Sequence, residues 1–306
     1  MAETDPFFSI IIPTRSRPGQ LAVCLAAMAG LDYERGRFEV IVVDDGGEAS
    51  PEPVVAAHDR HLSLTLLRQD QAGPAAARNN GAGRARGEFL AFTDDDCEPA
   101  SGWLQALAAR FAAMPDAAVG GHTRNALRSN PYAAASQFIV DLVYAHYNAH
   151  PHQAQFLATS NLAVPAAGFG AVGGFDDVNF PFASEDRDFC ARWLQRGYPM
   201  IYAPEAVVYH AHPLTLSTFW RQHVSYGRGA WRFHRACARR GSQRLLKDLS
   251  FHRRLPGMVR RRYTGADHPS ALRLGALLLL WQVANLVGFV GQGLSQAARA
   301  QSREDV

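Results

Sequence analysis

The chain has 306 residues, 47% of them hydrophobic and 19% charged, with a formal net charge of +3. That composition excludes a disordered segment and suits a chain long enough to bury a core of its own. A charge so near balance also excludes a dedicated nucleic-acid binder, which concentrates far more positive charge, although Arg253, Arg254, Arg260, Arg261 and Arg262 crowd into ten residues near the C-terminus.

The chain begins with a short acidic segment, followed by a strand-sized apolar run at 7–12. A secretory signal needs a basic start and a longer apolar stretch, so none is expected. After turn residues and Pro18, Leu21, Cys24, Leu25 and Met28 recur at helical spacing. A second apolar strand at 38–43 ends in Asp44-Asp45-Gly46-Gly47, and a third is expected at 62–67. An Ala-rich helix over 73–86 leads to a fourth strand at 89–92, which runs into Asp94-Asp95-Asp96. A helix over 103–114 and a strand near Val119 follow. Continuous apolar strands alternating with helices predict an α/β chain whose open, mostly parallel sheet is flanked by helices on both faces. In such a sheet ligands bind outside the carboxyl ends of the strands, where both acidic clusters fall.

The second half is less regular. Helices are expected over 131–147, 185–196 (closed by Gly197) and 214–240, with strand-like runs at 156–164 and 207–210 and a turn at Gly173-Gly174-Phe175-Asp176. This gives a first domain over 1–215 and a helical C-terminal region over 216–306. Cys24, Cys97, Cys190 and Cys237 form no CxxC pair, so neither a disulfide framework nor a zinc ribbon is expected, and a reducing cytosol fits. From Leu274 to Ala298 there is no charged residue, a length that can span a bilayer, yet Gln282, Asn285, Gln292 and Gln296 recur within it. A basic stretch before a moderately apolar helix suits a protein peripheral at the inner, anionic face of a membrane. Docking of that helix on the domain or on a dimer partner is the alternative.

Three acidic groups carry candidate chemistry. Asp94 and Asp96, two apart at a strand end, point their carboxylates to one side. Oxygen ligands in that arrangement suit Mn²⁺ or Mg²⁺, with phosphate oxygens completing the shell; a solvated turn is the plain alternative. The turn at Asp44-Asp45 can present a carboxylate to a nucleobase N–H or a ribose hydroxyl, or be an ordinary Asp-Gly turn. Glu185-Asp186 opens a helix, where acidic residues are often caps. The helix N-terminus also favours the ionised form that a general base needs. His146 and His150, four apart on a helix, lack an evident third ligand and read as ordinary histidines.

Taken in order, Ser9-Ile10-Ile11-Ile12-Pro13-Thr14, Val42-Val43-Asp44-Asp45-Gly46-Gly47, Ala77-Arg78-Asn79-Asn80-Gly81, Phe92-Thr93-Asp94-Asp95-Asp96, Gly173-Gly174-Phe175-Asp176 and Glu185-Asp186 with Arg192-Trp193 form a specific set. The set resembles the family 2 glycosyltransferases, over roughly residues 7–230. The resemblance implies a GT-A fold, a Rossmann-like sheet with a helical C-terminal extension here. It also implies an inverting, metal-dependent transfer of a sugar from a nucleotide-sugar donor, a UDP-sugar first, to a glycan or lipid-linked acceptor. It would place Pro13, Thr14, Arg15, Asp45 and Arg78 on the nucleotide, with Asp94 on the ribose or donor sugar and Asp95 grouped beside them. Asp96 would hold Mn²⁺ or Mg²⁺, joined by His210 or His212, which share a strand face. Asp186 would be the catalytic base with Glu185 as its neighbour, and Ser160, Asn161, Arg192 and Trp193 would flank the sugars. The segment Tyr226-Gly227-Arg228 would belong to the acceptor site, a lid or a packed covering helix.

The chain departs from the family pattern at three points. Arg15 stands where many relatives carry Tyr, Cys97 where they often carry Asp, and the segment after Asn161 lacks a basic residue. Among rival readings, a dinucleotide oxidoreductase is disfavoured because Gly81, Gly83 and Gly87 end a helix instead of opening one. A metal-dependent nucleotidyltransferase and a non-catalytic nucleotide-sugar-binding relative remain as alternatives.

Overall fold

The first strand dictates what must surround it. In β1 (Phe8–Thr14), Phe8, Ile10, Ile11 and Ile12 are all fully buried. A strand wetted on neither face has to be covered on both. The computed structural model, which describes residues 5–242, 244–263 and 270–304, meets this demand with a sheet between two apolar layers. The remaining strands are β2 (Phe38–Asp45), β3 (Leu64–Gln69), β4 (Phe89–Phe92), β5 (Cys97–Pro99), β6 (Ala118–Asn125), β7 (Leu162–Pro165) and β8 (Met200–His210). The helices are α1 (Pro18–Ala29), α2 (Glu52–His58), α3 (Pro74–Ala82), α4 (Trp103–Ala113), α5 (Pro131–Tyr147), α6 (Ala166–Val172), α7 (Glu185–Gln195), α8 (Leu216–Arg239), α9 (Arg244–Arg262) and α10 (Ala271–Glu304).

All eight strands lie in one sheet in the order β3-β2-β1-β4-β7-β6-β8-β5. β7 runs antiparallel to β4 and β6, and β5 antiparallel to β8; the other pairings are parallel. The period of two sorts the side chains. Ile10, Ile12, Val40 and Val42 enter one core with Leu21, Cys24, Leu25 and Met28 of α1 and Leu104 and Leu107 of α4. Ile11, Ile41 and Val43 enter the other with Ala75 and Ala77 of α3, Phe169 of α6 and Phe189 and Trp193 of α7. The helical spacing read in α1 thus marks its buried residues. Two strands differ from the sequence reading. The run at 156–164 contributes only β7, because Thr159–Asn161 is a 3-10 turn. The short strand at 207–210 is the end of the longer β8, whose apolar pattern breaks at exposed Pro204 and Glu205 beside a register shift at Gly121/His122.

The chain divides into two compact units. The sheet and its covering helices form the first, which ends at Ala211; the second takes Leu127–His146, Phe182–Ser184 and the chain from His212 on. Phe138 and Leu142 of α5, Phe219 of α8, Phe251 and Met258 of α9, and Leu274 and Trp281 of α10 form the core of this second unit. Helix α8 starts at a Thr215–Thr218 capping box. Helices α8 and α10 approach to backbone contact. A Cβ on Gly227 would collide with the carbonyl of Asn285, and one on Gly288 with that of Val224. Such crossings at small residues are typical of tightly packed helix pairs. Gly288→Leu is therefore expected to cost about 1–3 kcal/mol by overpacking, read as a lowered midpoint in thermal unfolding, whereas Gly291→Leu, whose Cβ meets open space, should leave the midpoint within a degree or two.

Candidate active site

Three strand ends converge on the site. Parallel pairing sets Thr14 of β1 opposite Asp44 of β2, and β4, on the other side of β1, leads into Asp94, Asp95 and Asp96. The β2 end is fixed by its own turn. Asp44 Oδ1 accepts from Gly47 N at 3.0 Å. Asp45 accepts from Gln69 Nε2 and Ala72 N, both at 2.8 Å, and from Gly73 N at 2.9 Å. Gly46 has φ 66°, a conformation glycine adopts without strain. Asp45 is thus held by backbone donors, in a turn that positions it at the sheet's carboxyl edge.

The three aspartates after β4 have different surroundings. Asp94 is partly exposed and accepts from Arg78 Nη2 at 2.6 Å. Asp95 is buried and accepts from the Thr14 hydroxyl at 2.7 Å. Burial pushes its carboxyl up to about 6, against the pull of Arg17 and Thr14. Asp96 meets Arg17 Nη1 at 3.1 Å through Oδ2 and His210 Nε2 at 3.1 Å through Oδ1. Antiparallel pairing of β5 with β8 puts Cys97 opposite His210 and so delivers the imidazole to Asp96. Burial pulls the imidazole pKa down, but the hydrogen bond and charge of Asp96, with the charge of Asp94, outweigh it and leave it raised.

On the other side of Asp94 stands the acidic pair of α7. Arg78, almost fully buried, joins Asp94 to Glu185, whose Oε1 accepts from Arg78 Nη1 at 3.0 Å. Burial raises the Glu185 carboxyl in spite of Arg78. Asp186 accepts from Arg187 N at 2.7 Å, and burial together with the charge of Glu185 pushes it up to about 7. Ser184, immediately before the pair, is left-handed at φ 69°. Non-glycine residues in that region cluster where function fixes the backbone.

The donor set fits a hard divalent cation. Asp94, Asp96 and Cys97 each offer an atom within 4.8 Å of the others. Burial and the neighbouring aspartates push the Cys97 thiol well up, so it stays protonated, and thiolate is the ligating form. Carboxylate oxygens with an imidazole nitrogen remain, a set suited to Mn²⁺ or Mg²⁺. His212 lies two residues beyond His210, half-buried, where the second unit begins.

The structure gathers Asp94, Asp95, Asp96, Arg78, Glu185, Asp186 and His210 into one network, with Asp45 at the neighbouring strand end. Pro13 is half-buried and Arg15 exposed at the end of β1. Other residues read as ligand contacts also make hydrogen bonds within the protein. Thr14 donates its hydroxyl to Asp95, and Arg78 donates from Nη1 and Nη2 to two carboxylates. Asn161 is fully buried, accepting from Trp103 Nε1 and donating to the His122 and Ala206 carbonyls. Trp193 is fully buried and donates to Pro199 O. Arg192 binds Asp188 and the carbonyls of Val172 and Gly174. Ser160 is half-buried, its carbonyl accepting from Thr93. Sequence reasoning missed Arg17. The signal was the pair of arginines after β1, but only the left-handed turn at Ser16, φ 54°, separates the exposed Arg15 from Arg17 on the aspartates.

The sequence pattern described as "Glycosyl transferase family 2" matches residues 9–177, more than half of the 306. The pre-mycofactocin glycosyltransferase of Mycobacterium tuberculosis (strain ATCC 25618 / H37Rv) is 30% identical over 227 residues, covering 72% of this chain and 46% of the relative. Validoxylamine A glucosyltransferase of Streptomyces hygroscopicus subsp. jinggangensis (strain 5008) is 28% identical over 229 residues, covering 66% and 54%. The chain thus spans about half the length of these relatives. Among solved structures, the mannosyltransferase PcManGT from Pyrobaculum calidifontis, in complex with GDP-Man and Mn²⁺, superposes with a TM-score of 0.69 at 20% identity, over 95% of this chain and 88% of that one. The shared fold is the GT-A arrangement.

Arg78 is the cation on which two of these carboxylates depend. Arg78→Met should lower stability at pH 8 by about 3 kcal/mol, the usual cost of leaving a buried charge without its partner. Urea denaturation should show the loss shrinking as the pH falls and Glu185, its carboxyl already raised by burial, takes up a proton.

Proposed function

Because the chain belongs to glycosyl transferase family 2, we propose that it transfers a sugar from a nucleoside-diphosphate donor to an acceptor hydroxyl with inversion at the anomeric carbon. The observation that carries this reading is the Arg78 bridge. One buried guanidinium ties Asp94, in the carboxylate cluster suited to a donor and its metal, to Glu185, whose neighbour Asp186 suits a base. In this reading Asp96 and His210, with His212 as a further candidate, hold Mn²⁺ or Mg²⁺. The ion supplies positive charge against the diphosphate leaving group. Asp45, Pro13 and Arg15 bound the base pocket, and Asp94 faces the ribose or donor sugar. Asp186 takes the acceptor proton as the acceptor oxygen attacks from the face opposite the diphosphate, so an α-linked donor gives a β-linked product. Glu185, held by Arg78, stands beside Asp186, and its negative charge adds to burial in raising that carboxyl.

A base with a pKa near 7 is matched to neutral conditions. Turnover should fall about tenfold per unit as the pH drops below 7, as Asp186 becomes protonated. Asp186→Asn should lose most turnover, about a hundredfold or more, with donor binding near normal. The same variant should be more stable than the parent at pH 8, with the difference shrinking as the pH falls and vanishing only below the unfolded value of 3.8. A carboxyl raised from 3.8 to about 7 in the fold costs stability increasingly as the pH rises from 3.8, where the unfolded chain begins to ionise, and the cost is complete above 7. Unchanged turnover in Asp186→Asn would end its assignment as the base. Product formation from UDP-, GDP- and TDP-sugars selects the donor, with the UDP-sugar expected first.

The acceptor in this reading is a glycan or a lipid-linked glycan met at the cytoplasmic face of a membrane. Over Ala271–Ala298, α10 is long and apolar enough to cross a bilayer. Its Leu272, Leu279, Leu286 and Leu294 are exposed at heptad-like spacing, and the arginines 253, 254, 260, 261 and 262 of α9 are exposed as well. An apolar stripe beside clustered arginines supports binding flat on an anionic surface. The protein should float with vesicles containing anionic phospholipid and stay behind with neutral ones, and Leu279→Glu with Leu286→Glu should abolish flotation. Failure of the parent protein to float with either would remove the membrane part of the reading and leave the transfer chemistry standing.

A further inference from the structure

Arg17 has no part in the chemistry described above, yet it touches the carboxylate assigned to the metal. A single guanidinium nitrogen, Nη1, lies 3.2 Å from Asp95 Oδ1 and 3.1 Å from Asp96 Oδ2. The other oxygen of Asp96 is taken by His210. The contrast with Arg78 is in burial. The Arg78 side chain is 4% exposed and locked between two carboxylates, whereas that of Arg17 is 44% exposed while the carboxylates it meets are 1% and 4% exposed. Arg17 therefore reaches in from solvent, and its head group can leave without opening the core. Its backbone is fixed where α1 begins, followed by Pro18, so only the side chain has to move.

A guanidinium and a divalent cation cannot share Asp96 Oδ2. Two positive charges about 4 Å apart repel strongly in a partly buried setting. Whichever binds expels the other. An expelled guanidinium needs a new anion, and a planar fork of N–H donors pairs with phosphate oxygens in two-point contacts. We infer that Arg17 is an exchangeable counter-ion: it neutralises Asp95 and Asp96, gives them up to the divalent cation, and then pairs with the diphosphate of the donor. This rests on the metal-and-donor reading of the site. It makes Arg17 a positioning residue that couples metal occupancy to donor binding.

The test measures Mn²⁺ binding directly, by the loss of the aqueous Mn²⁺ paramagnetic resonance signal, with no nucleotide present. Arg17→Met should bind Mn²⁺ about tenfold more tightly than the parent protein, since a competing cation worth more than 1 kcal/mol is gone. Arg17→Lys, which keeps the charge, should stay near the parent. Damage to the fold weakens metal binding, so a gain cannot arise from misfolding. With Mn²⁺ saturating, calorimetry with inorganic pyrophosphate should show Arg17→Met binding about tenfold more weakly, from the lost charged pair. Mn²⁺ affinity in Arg17→Met equal to or below that of the parent overturns the exchange. Unchanged pyrophosphate affinity overturns the diphosphate pairing. No Mn²⁺ binding by either protein removes the metal reading and this inference with it, an outcome distinct from parent binding that Arg17→Met fails to improve.

Discussion

Five carboxylates, those of Asp94, Asp95, Asp96, Glu185 and Asp186, are gathered at one edge of the sheet, and the arrangement of the site follows from keeping them there. Like charges in a poorly solvated setting repel, so the groups either take protons or acquire cations. Both remedies are visible. Asp95 and Asp186 are pushed up to about 6 and about 7, while Arg78 and Arg17 supply positive charge and His210 a ring nitrogen to the cluster. The cations are not equivalent. Arg78 is a fixed internal strut, whereas Arg17 reaches in from solvent. Such a cluster is poor engineering for stability alone, and it is the kind of cost that folds carry at functional sites.

The sheet topology makes this concentration of charge possible. β1, β2 and β4 run in parallel and end at one edge, so three separate turns can each contribute short polar side chains without crossing the core. β8 then returns beside β6 and pairs with β5, which brings a histidine from late in the chain to an aspartate after β4. Asn161 fixes that return, with its amide on the β8 carbonyl of Ala206 and on Trp103. A Cβ on Gly121 would collide with the same Asn161 amide and the Ala206 carbonyl, so the close approach there requires glycine.

Much of the fold was legible because burial leaves a periodic imprint. The isoleucines of β1, the four apolar residues of α1 and the span of α5 all stand in the structure as the sequence pattern predicts. What escaped were short strands with too few residues to show a period. β5 has three residues, and β7 has four, fewer than the strand-like run read at 156–164. The acidic members of the site were legible too, although each alone has an ordinary structural use as a turn or a cap, because they recur in one ordered set of motifs. Their counter-ions were not. Arg17 and Asp96 are 79 residues apart, Arg78 and Glu185 are 107 apart, and spacing carries no information about pairing over such distances. For the same reason the carbonyls of Val172 and Gly174 around Arg192 could not be read from the sequence.

The glycine crossing of α8 and α10 has a consequence of another kind. At Gly227 and Gly288 the two helices touch backbone to backbone, so the seat of α10 there does not depend on which side chains it displays elsewhere. Its outward leucines and valines carry no share of that contact. They are therefore free to drift, and a lineage could exchange an apolar face for a charged or sticky one without moving the helix. The structural and the outward-facing roles of α10 are in this way written in separate residues, and selection can act on one without disturbing the other.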